Sequence, residues 1–257
     1  MSVTGAIGTV AAVSFRTSLQ GIRALALAAF AAVPSLILVA LVAAHGSPDV
    51  LRDASQSLFL GLTMPVVGIV LILLLAVGQF RNEIDDDTLT YLSSRSIPRW
   101  GIVLGKYLGC VGAVALYLVP AGLAPVAIAR LAGAAALPSG AIAAIVAIAL
   151  LAALAYSAVF LLFGLVTSWA LFVGLVYGFL WEELLLQLPG SAPKLTIAYY
   201  LKSLGSDLVS SGPFSGMNPA AATDQAVAGP IFAAVLFVAL AMLAIRFVEL
   251  VPRRTSA

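Results

Sequence analysis

The chain has 257 residues, 62% of them hydrophobic and 9% charged, against about 45–50% and about 25% in a soluble domain. A mean hydropathy of +1.12 is more apolar surface than a water-soluble core can hide, which excludes a soluble enzyme and a disordered chain. A net charge of +2 without a long Lys/Arg run argues against a nucleic-acid partner, and one cysteine (Cys110) and one histidine (His45) exclude a disulfide framework, a Cys-based zinc site and any site needing two histidines.

A helix needs about 20 apolar residues to cross the roughly 30 Å hydrocarbon core. In chain order, Ala11–Arg23 comes first. It mixes Val13, Leu19 and Ile22 with Arg16, Gln20 and Arg23, which predicts a short amphipathic helix along the inner interface. The first span is Leu25–Ala44. Its end, Val42-Ala43-Ala44, looks like a small-residue cleavage site, but the run is longer than the about 7–15 residues of a signal core, so the segment is expected to remain as a span. The second span is Leu58–Val77 and the third is Val103–Ala129, which Pro120 and Pro125 are expected to bend near its outer end. Pro34 and Pro65 also fall inside spans and read as structural. The fourth and fifth, Ala141–Val166 and Ala170–Leu186, are separated only by Thr167, Ser168 and Trp169, so a tight hairpin is required between them. The segment Pro189–Gly229 is rich in Gly, Pro, Ser and Asn. Within it Leu195, Ala198, Leu201, Leu204 and Leu208 recur at helical spacing, which predicts a short helix on the outer surface. Ile231–Val248 is the sixth span.

Charge asymmetry supports this count. With the N-terminus inside, the cytoplasmic segments hold Arg16, Arg23, Arg81, Arg95, Arg99, Lys106, Arg246, Arg253 and Arg254, while the outer ones hold Arg52, Arg130, Lys194 and Lys202. Nine against four places both termini in the cytoplasm. The expected fold is therefore all-α and integral to the membrane: six spans in one transmembrane domain over residues 1–257, N-in and C-in.

The spans carry almost no ionisable groups. Lys106 and Arg246 sit at inner ends, Glu182 and Glu183 toward the outer end of the fifth span. Proton- or sodium-driven transport needs such groups in mid-membrane, so any energy source lies elsewhere. It is not a nucleotide on this chain. Gly101-Ile-Val-Leu-Gly105-Lys106-Tyr107 has one residue too few between its glycines for a phosphate loop, and a tyrosine where magnesium needs Ser or Thr. Gly101, Gly105 and Gly109 instead recur every fourth position, a ridge that lets another helix approach closely. No metal ligands or cofactor-binding residues stand out. Glu182-Glu183-Leu-Leu-Leu-Gln187 resembles the Glu-Glu-x-x-x-Arg motif of membrane-embedded CAAX-type proteases. It has Gln187 for the arginine, and its only histidine, His45, is expected on the outer loop after the first span. The alternative reading, a hydrolase, thus lacks partners; a pair of carboxylates bonding a helix end at the outer headgroups fits better.

The most polar run, Arg81–Trp100, faces the cytoplasm. Asp86 or Asp87 can cap a helix, Arg95 suits its negative end, and Pro98 stops it. Leu89 and Leu92 would form an apolar knob with Glu83 and Arg95 at the rim. By composition the run is either a helix that grips a partner or a solvated connector, as expected of a partner-free channel or scaffold.

The stretch Glu83-Ile-Asp-Asp-Asp-Thr88-Leu89-Thr-Tyr-Leu92-Ser-Ser-Arg95-Ser-Ile-Pro98-Arg99, leading into Gly105-Lys106, resembles the signature of type-2 ABC transporter permeases. So does Phe179-Leu180-Trp181-Glu182 with Pro189-Gly190 beyond it. Ser96 stands where that family often has proline. The resemblance implies an exporter permease of the bacterial inner membrane that pairs with a cytoplasmic ABC ATPase, which holds the ATP and Mg. It also implies a homodimer or heterodimer of two permeases around the pathway, in contact with membrane lipid. Carried over, Glu83, Asp86, Thr88, Leu89, Leu92, Arg95 and Arg99 are the expected coupling contacts.

Overall fold

In hydrocarbon every backbone N–H and C=O must find a partner within the protein, which leaves helices as the economical solution for so apolar a chain. The computed structural model describes residues 3–85, 98–138, 140–209, 213 and 221–247, and it is helical throughout, with no strand among the described residues. Helix α1 (Val3–Ser18) begins and ends earlier than the expected Ala11–Arg23. The cause is Gly21, whose φ of +77° is a left-handed conformation that breaks the helix before α2 (Gly21–Ala31). Between α2 and α3 (Val33–Ala43) the axis turns by 41°. Pro34 lies in the first turn of α3; it has no N–H, and its ring would clash with the Phe30 carbonyl in a continuous helix.

Five helical runs are long and apolar enough to cross a membrane, and the bent α2–α3 pair makes a sixth if it is one span. The second run starts at Pro48, earlier than the expected Leu58, because Ser47 and Pro48 form a helix start: Ser47 Oγ accepts from Val50 N at 3.5 Å. This run comprises α4 (Pro48–Leu58), a π-helical stretch (Phe59–Gly68) and α5 (Ile69–Asp85). Pro65 lies within the π-helical stretch, and the Thr63 hydroxyl donates to the Leu58 carbonyl at 3.2 Å. Helix α6 (Arg99–Leu131) runs unbroken through Pro120 and Pro125. Helix α7 (Ala141–Val166) ends at Thr167, whose Oγ1 accepts from Trp169 N at 3.2 Å to close the hairpin. The fifth run joins α8 (Ala170–Leu175), a second π-helical stretch (Val176–Trp181) and α9 (Glu182–Gln187). Helix α10 (Ile197–Leu208) precedes α11 (Thr223–Phe247), while Val248 lies outside the described residues.

Helix α7 is the axis of the bundle, packed against α5, α6, α10 and α11. Ala144, Ala149, Ala152, Ala153, Ala155 and Ala158 are all fully buried. Small side chains matter here because lipid tails are as apolar as leucine, so helices associate through close packing rather than through water expulsion. A Cβ on Gly164 would lie 3.0 Å from Val77 Cα and O, so α7 and α5 touch backbone to backbone. Gly174 and Gly178 of the fifth run make room for the side chains of Leu73 and Ile69 of the second. Helix α10 packs one face on the bundle and leaves Lys202 and Asp207 exposed on the other. Ile197, Leu201 and Leu204 are buried against α7 and α11, because its apolar stripe has a ready partner in the bundle.

At the other end α1 crosses α6 on the glycine ridge. A Cβ on Gly105 would lie 2.8 Å from Val10 Cβ, and one on Gly109 would lie 2.8 Å from Ser14 Cβ. Gly101 is buried one turn earlier. Gly109→Val should therefore destabilise the protein by about 1–3 kcal/mol through overpacking. Gly61→Ala, whose Cβ meets open space, should not lower stability. Thermal unfolding in detergent checks both.

Candidate functional site

Two polar knots stand out in this apolar bundle, one at each end. The first lies where α1, α5 and α6 meet, at the root of the polar run. Gln79 Nε2 donates to Ser18 Oγ at 2.9 Å, and Ser18 Oγ donates to the Ser14 carbonyl at 2.8 Å. The Lys106 ammonium donates to the Gln79 carbonyl and lies 4.8 Å from the centroid of the Phe80 ring. Lys106 is only 2% exposed. A buried ammonium is tolerated only where oxygen and aromatic faces replace its water, and this corner supplies both. The result pins α1 to α5 and α5 to α6.

The residues predicted to contact a partner divide around this corner. Asp86, Thr88, Leu89, Leu92 and Arg95 lie outside the described residues. Glu83 falls in the last turn of α5, and Arg99 opens α6 at an exposed position. Since α5 packs on α6, both ends of the segment leave the bundle at one corner. Sequence reading identified Lys106 only as an inner-end charge. Gln79, Ser14 and Ser18 carried no signal, because an isolated polar residue in an apolar helix does not reveal its partner.

The second knot is built on Glu182, only 2% exposed. Its Oε1 accepts from Ile197 N at 3.3 Å and its Oε2 from Ala198 N at 2.9 Å, while Thr196 Oγ1 accepts from Tyr199 N at 3.2 Å. Together they satisfy donors of the first turn of α10 that no intrahelical carbonyl can reach, and the negative charge suits that helix end. Tyr156 and Tyr177 turn their phenols toward the same carboxylate. Glu183 behaves differently. It is exposed and accepts from Gln187 Nε2 at 3.4 Å. The two glutamates, a pair in the sequence, thus face different surroundings, and the one on the inward face ties the fifth run to α10.

Next to Glu182 a cleft of about 70 Å³ opens between the two π-helical stretches, with Leu60, Met64, Tyr156 and Gly178 in its wall. A wider cavity of about 620 Å³ adjoins it, sharing Leu60, Leu186 and Lys202. Among the described residues, no group of three or more His, Cys, Asp or Glu side chains is placed to hold a metal ion.

Residues 20–181 match the family described as ABC-2 family transporter protein. The matched stretch runs from the turn before α2 to the end of the second π-helical stretch, taking in the polar run, Gln79 and Lys106. No curated protein matches the chain.

The Glu182 geometry predicts an asymmetry. Glu182→Ala leaves one buried and one partly buried N–H group unpaired and should cost about 1–3 kcal/mol, whereas Glu183→Ala should change stability by less than about 0.5 kcal/mol. Thermal unfolding of the two variants in detergent separates them.

Proposed function

The chain belongs to the ABC-2 family of transporter proteins, integral to the membrane, and we propose that it is the permease subunit of an ATP-driven exporter in a bacterial cell membrane. In this reading residues 1–257 form one transmembrane domain with six spans, α2–α3 counting as one, and both termini are cytoplasmic. Two permease chains enclose the pathway, and a separate cytoplasmic ATPase binds and hydrolyses ATP with Mg. The observation that carries the reading is the family match across the polar run between α5 and α6.

The energetics agree with a division of labour. Moving a substrate uphill requires a driving reaction, and the spans contain neither a mid-membrane ionisable pair nor a phosphate-binding loop. The polar run supplies what docking on an ATPase requires: Leu89 and Leu92 as an apolar knob, with Glu83, Asp86, Thr88, Arg95 and Arg99 around it as polar rim. Displacement of this segment would be passed to α5 and α6 together, since Lys106 holds one to the other, and α1 would follow through Gln79 and Ser18. The substrate surface falls to the second and fifth runs, which meet at Gly174 and Gly178. Intramembrane hydrolysis by Glu182 gains no support, since both carboxylate oxygens accept backbone N–H groups of α10.

Leu89→Asp combined with Leu92→Asp should abolish the knob while leaving the membrane bundle folded. In proteoliposomes containing the permease and its ATPase, permease-stimulated ATP hydrolysis and transport should both fall at least about tenfold. Survival of both activities would exclude the coupling role.

A further inference from the structure

The paired cavities at the α10 end have a charge arrangement that the permease reading does not use. Glu183 and Lys202 both line the cleft, yet no ion pair joins them. Glu182, the other carboxylate there, is already engaged by Ile197 N and Ala198 N. Tyr199 lines the wider cavity beside Lys202, and its buried hydroxyl has no hydrogen-bond partner among the described residues. A buried phenol without a partner is an uncompensated desolvation cost, and it marks a place where an acceptor belongs. Leu60, Met64, Ile69 and Ile148 give much of the remaining cleft wall an apolar surface, with Tyr156 among them.

Each simpler ligand class meets an obstacle here. A purely anionic head would face Glu183, a purely cationic one would face Lys202, and like charges at a binding surface oppose association. A head carrying both signs satisfies both walls, and an apolar tail suits the cleft. We propose that these joined cavities bind the zwitterionic headgroup of a single-chain amphiphile. The cationic group sits against Glu183, the anionic group against Lys202 and the Tyr199 hydroxyl, and the first methylenes of the tail lie along Leu60 and Met64. All the residues named here belong to one chain. It depends on the bundle standing in a membrane but not on the ATPase, so it can hold or fail independently of the coupling role.

The test uses the full chain in phosphatidylglycerol nanodiscs, titrated with lauroyl lysophosphatidylcholine and read by native mass spectrometry. Lauroyl lysophosphatidylglycerol provides a head without the cation, and glycerophosphocholine a head without the tail. The zwitterionic lysolipid should bind at least about tenfold more tightly than the anionic one. Glu183→Lys and Lys202→Glu should each weaken it about tenfold, and the double exchange should recover part of the loss. Tyr199→Phe should weaken binding without lowering the melting temperature, since the hydroxyl bonds no protein group among the described residues. Both charged residues are exposed, and Glu183→Gln and Lys202→Gln serve as neutral variants if a reversal impairs folding. Equal binding of the two lysolipids, or charge variants that bind like the parent, would overturn the proposal. Glycerophosphocholine binding as tightly as the lysolipid would overturn the role of the tail.

Discussion

The close contact of other helices with the alanine-rich surface of α7 is the constraint on which the rest of the structure depends. In a bilayer, packing a leucine against another leucine gains little over packing it against a lipid tail, so association relies on how nearly backbones can approach. Helix α7 meets that requirement with alanines on several sides, and Gly164 brings it into direct contact with α5. The second run, lying against α7 through α5, receives the fifth run at Gly174 and Gly178. The exposed residues of the fifth run, among them Leu171, Phe172, Leu180 and Leu184, then form an apolar face that suits hydrocarbon or a second chain rather than water.

Apolar packing leaves the register of neighbouring helices weakly determined, because one methyl-lined groove resembles the next. The two polar knots remove that ambiguity. Lys106 donates to the Gln79 carbonyl, and Gln79 donates to the Ser18 hydroxyl. Glu182 holds two consecutive N–H groups at the start of α10. In a low-dielectric setting an unpaired ammonium or carboxylate is costly, so a slip of α6 against α5, or of α10 against the fifth run, would lose such a bond without replacement. Strong polar contacts used sparingly thus set positions that the surrounding alanines and glycines permit but do not select.

The second and fifth runs are also the irregular ones. Each passes through a π-helical stretch, Phe59–Gly68 and Val176–Trp181, and both stretches border the cleft that holds Glu182. A π-helical turn widens the helix and redirects the side chains beyond it, and such turns recur at functional sites. Here Pro65 removes one backbone donor from the first stretch, and the second brings Tyr177 toward Glu182 while Trp181 stays exposed. The regular helices α6 and α7 serve as scaffold, and the irregular runs carry the cavities.

Composition and apolar run length by themselves determined the class of the protein, the positions of its long helices, the hairpin at Thr167 and the presence of a helix near Leu195–Leu208. Each depends on local chemistry: hydrocarbon thickness, helical spacing and the helix-ending preference of a short polar turn. The Gly105 and Gly109 spacing likewise announced a close approach, though not that α1 would make it. Only the tertiary structure decided that α10 packs its apolar face on α7 and α11, that Glu182 is buried while Glu183 is exposed, that Lys106 meets Gln79, and that Tyr199 and Lys202 border one cavity. Those relations join residues from different helices. Helical period tells which residues share a face, but not which face of another helix lies opposite, because in hydrocarbon that choice is made by complementary shape and a few buried polar bonds.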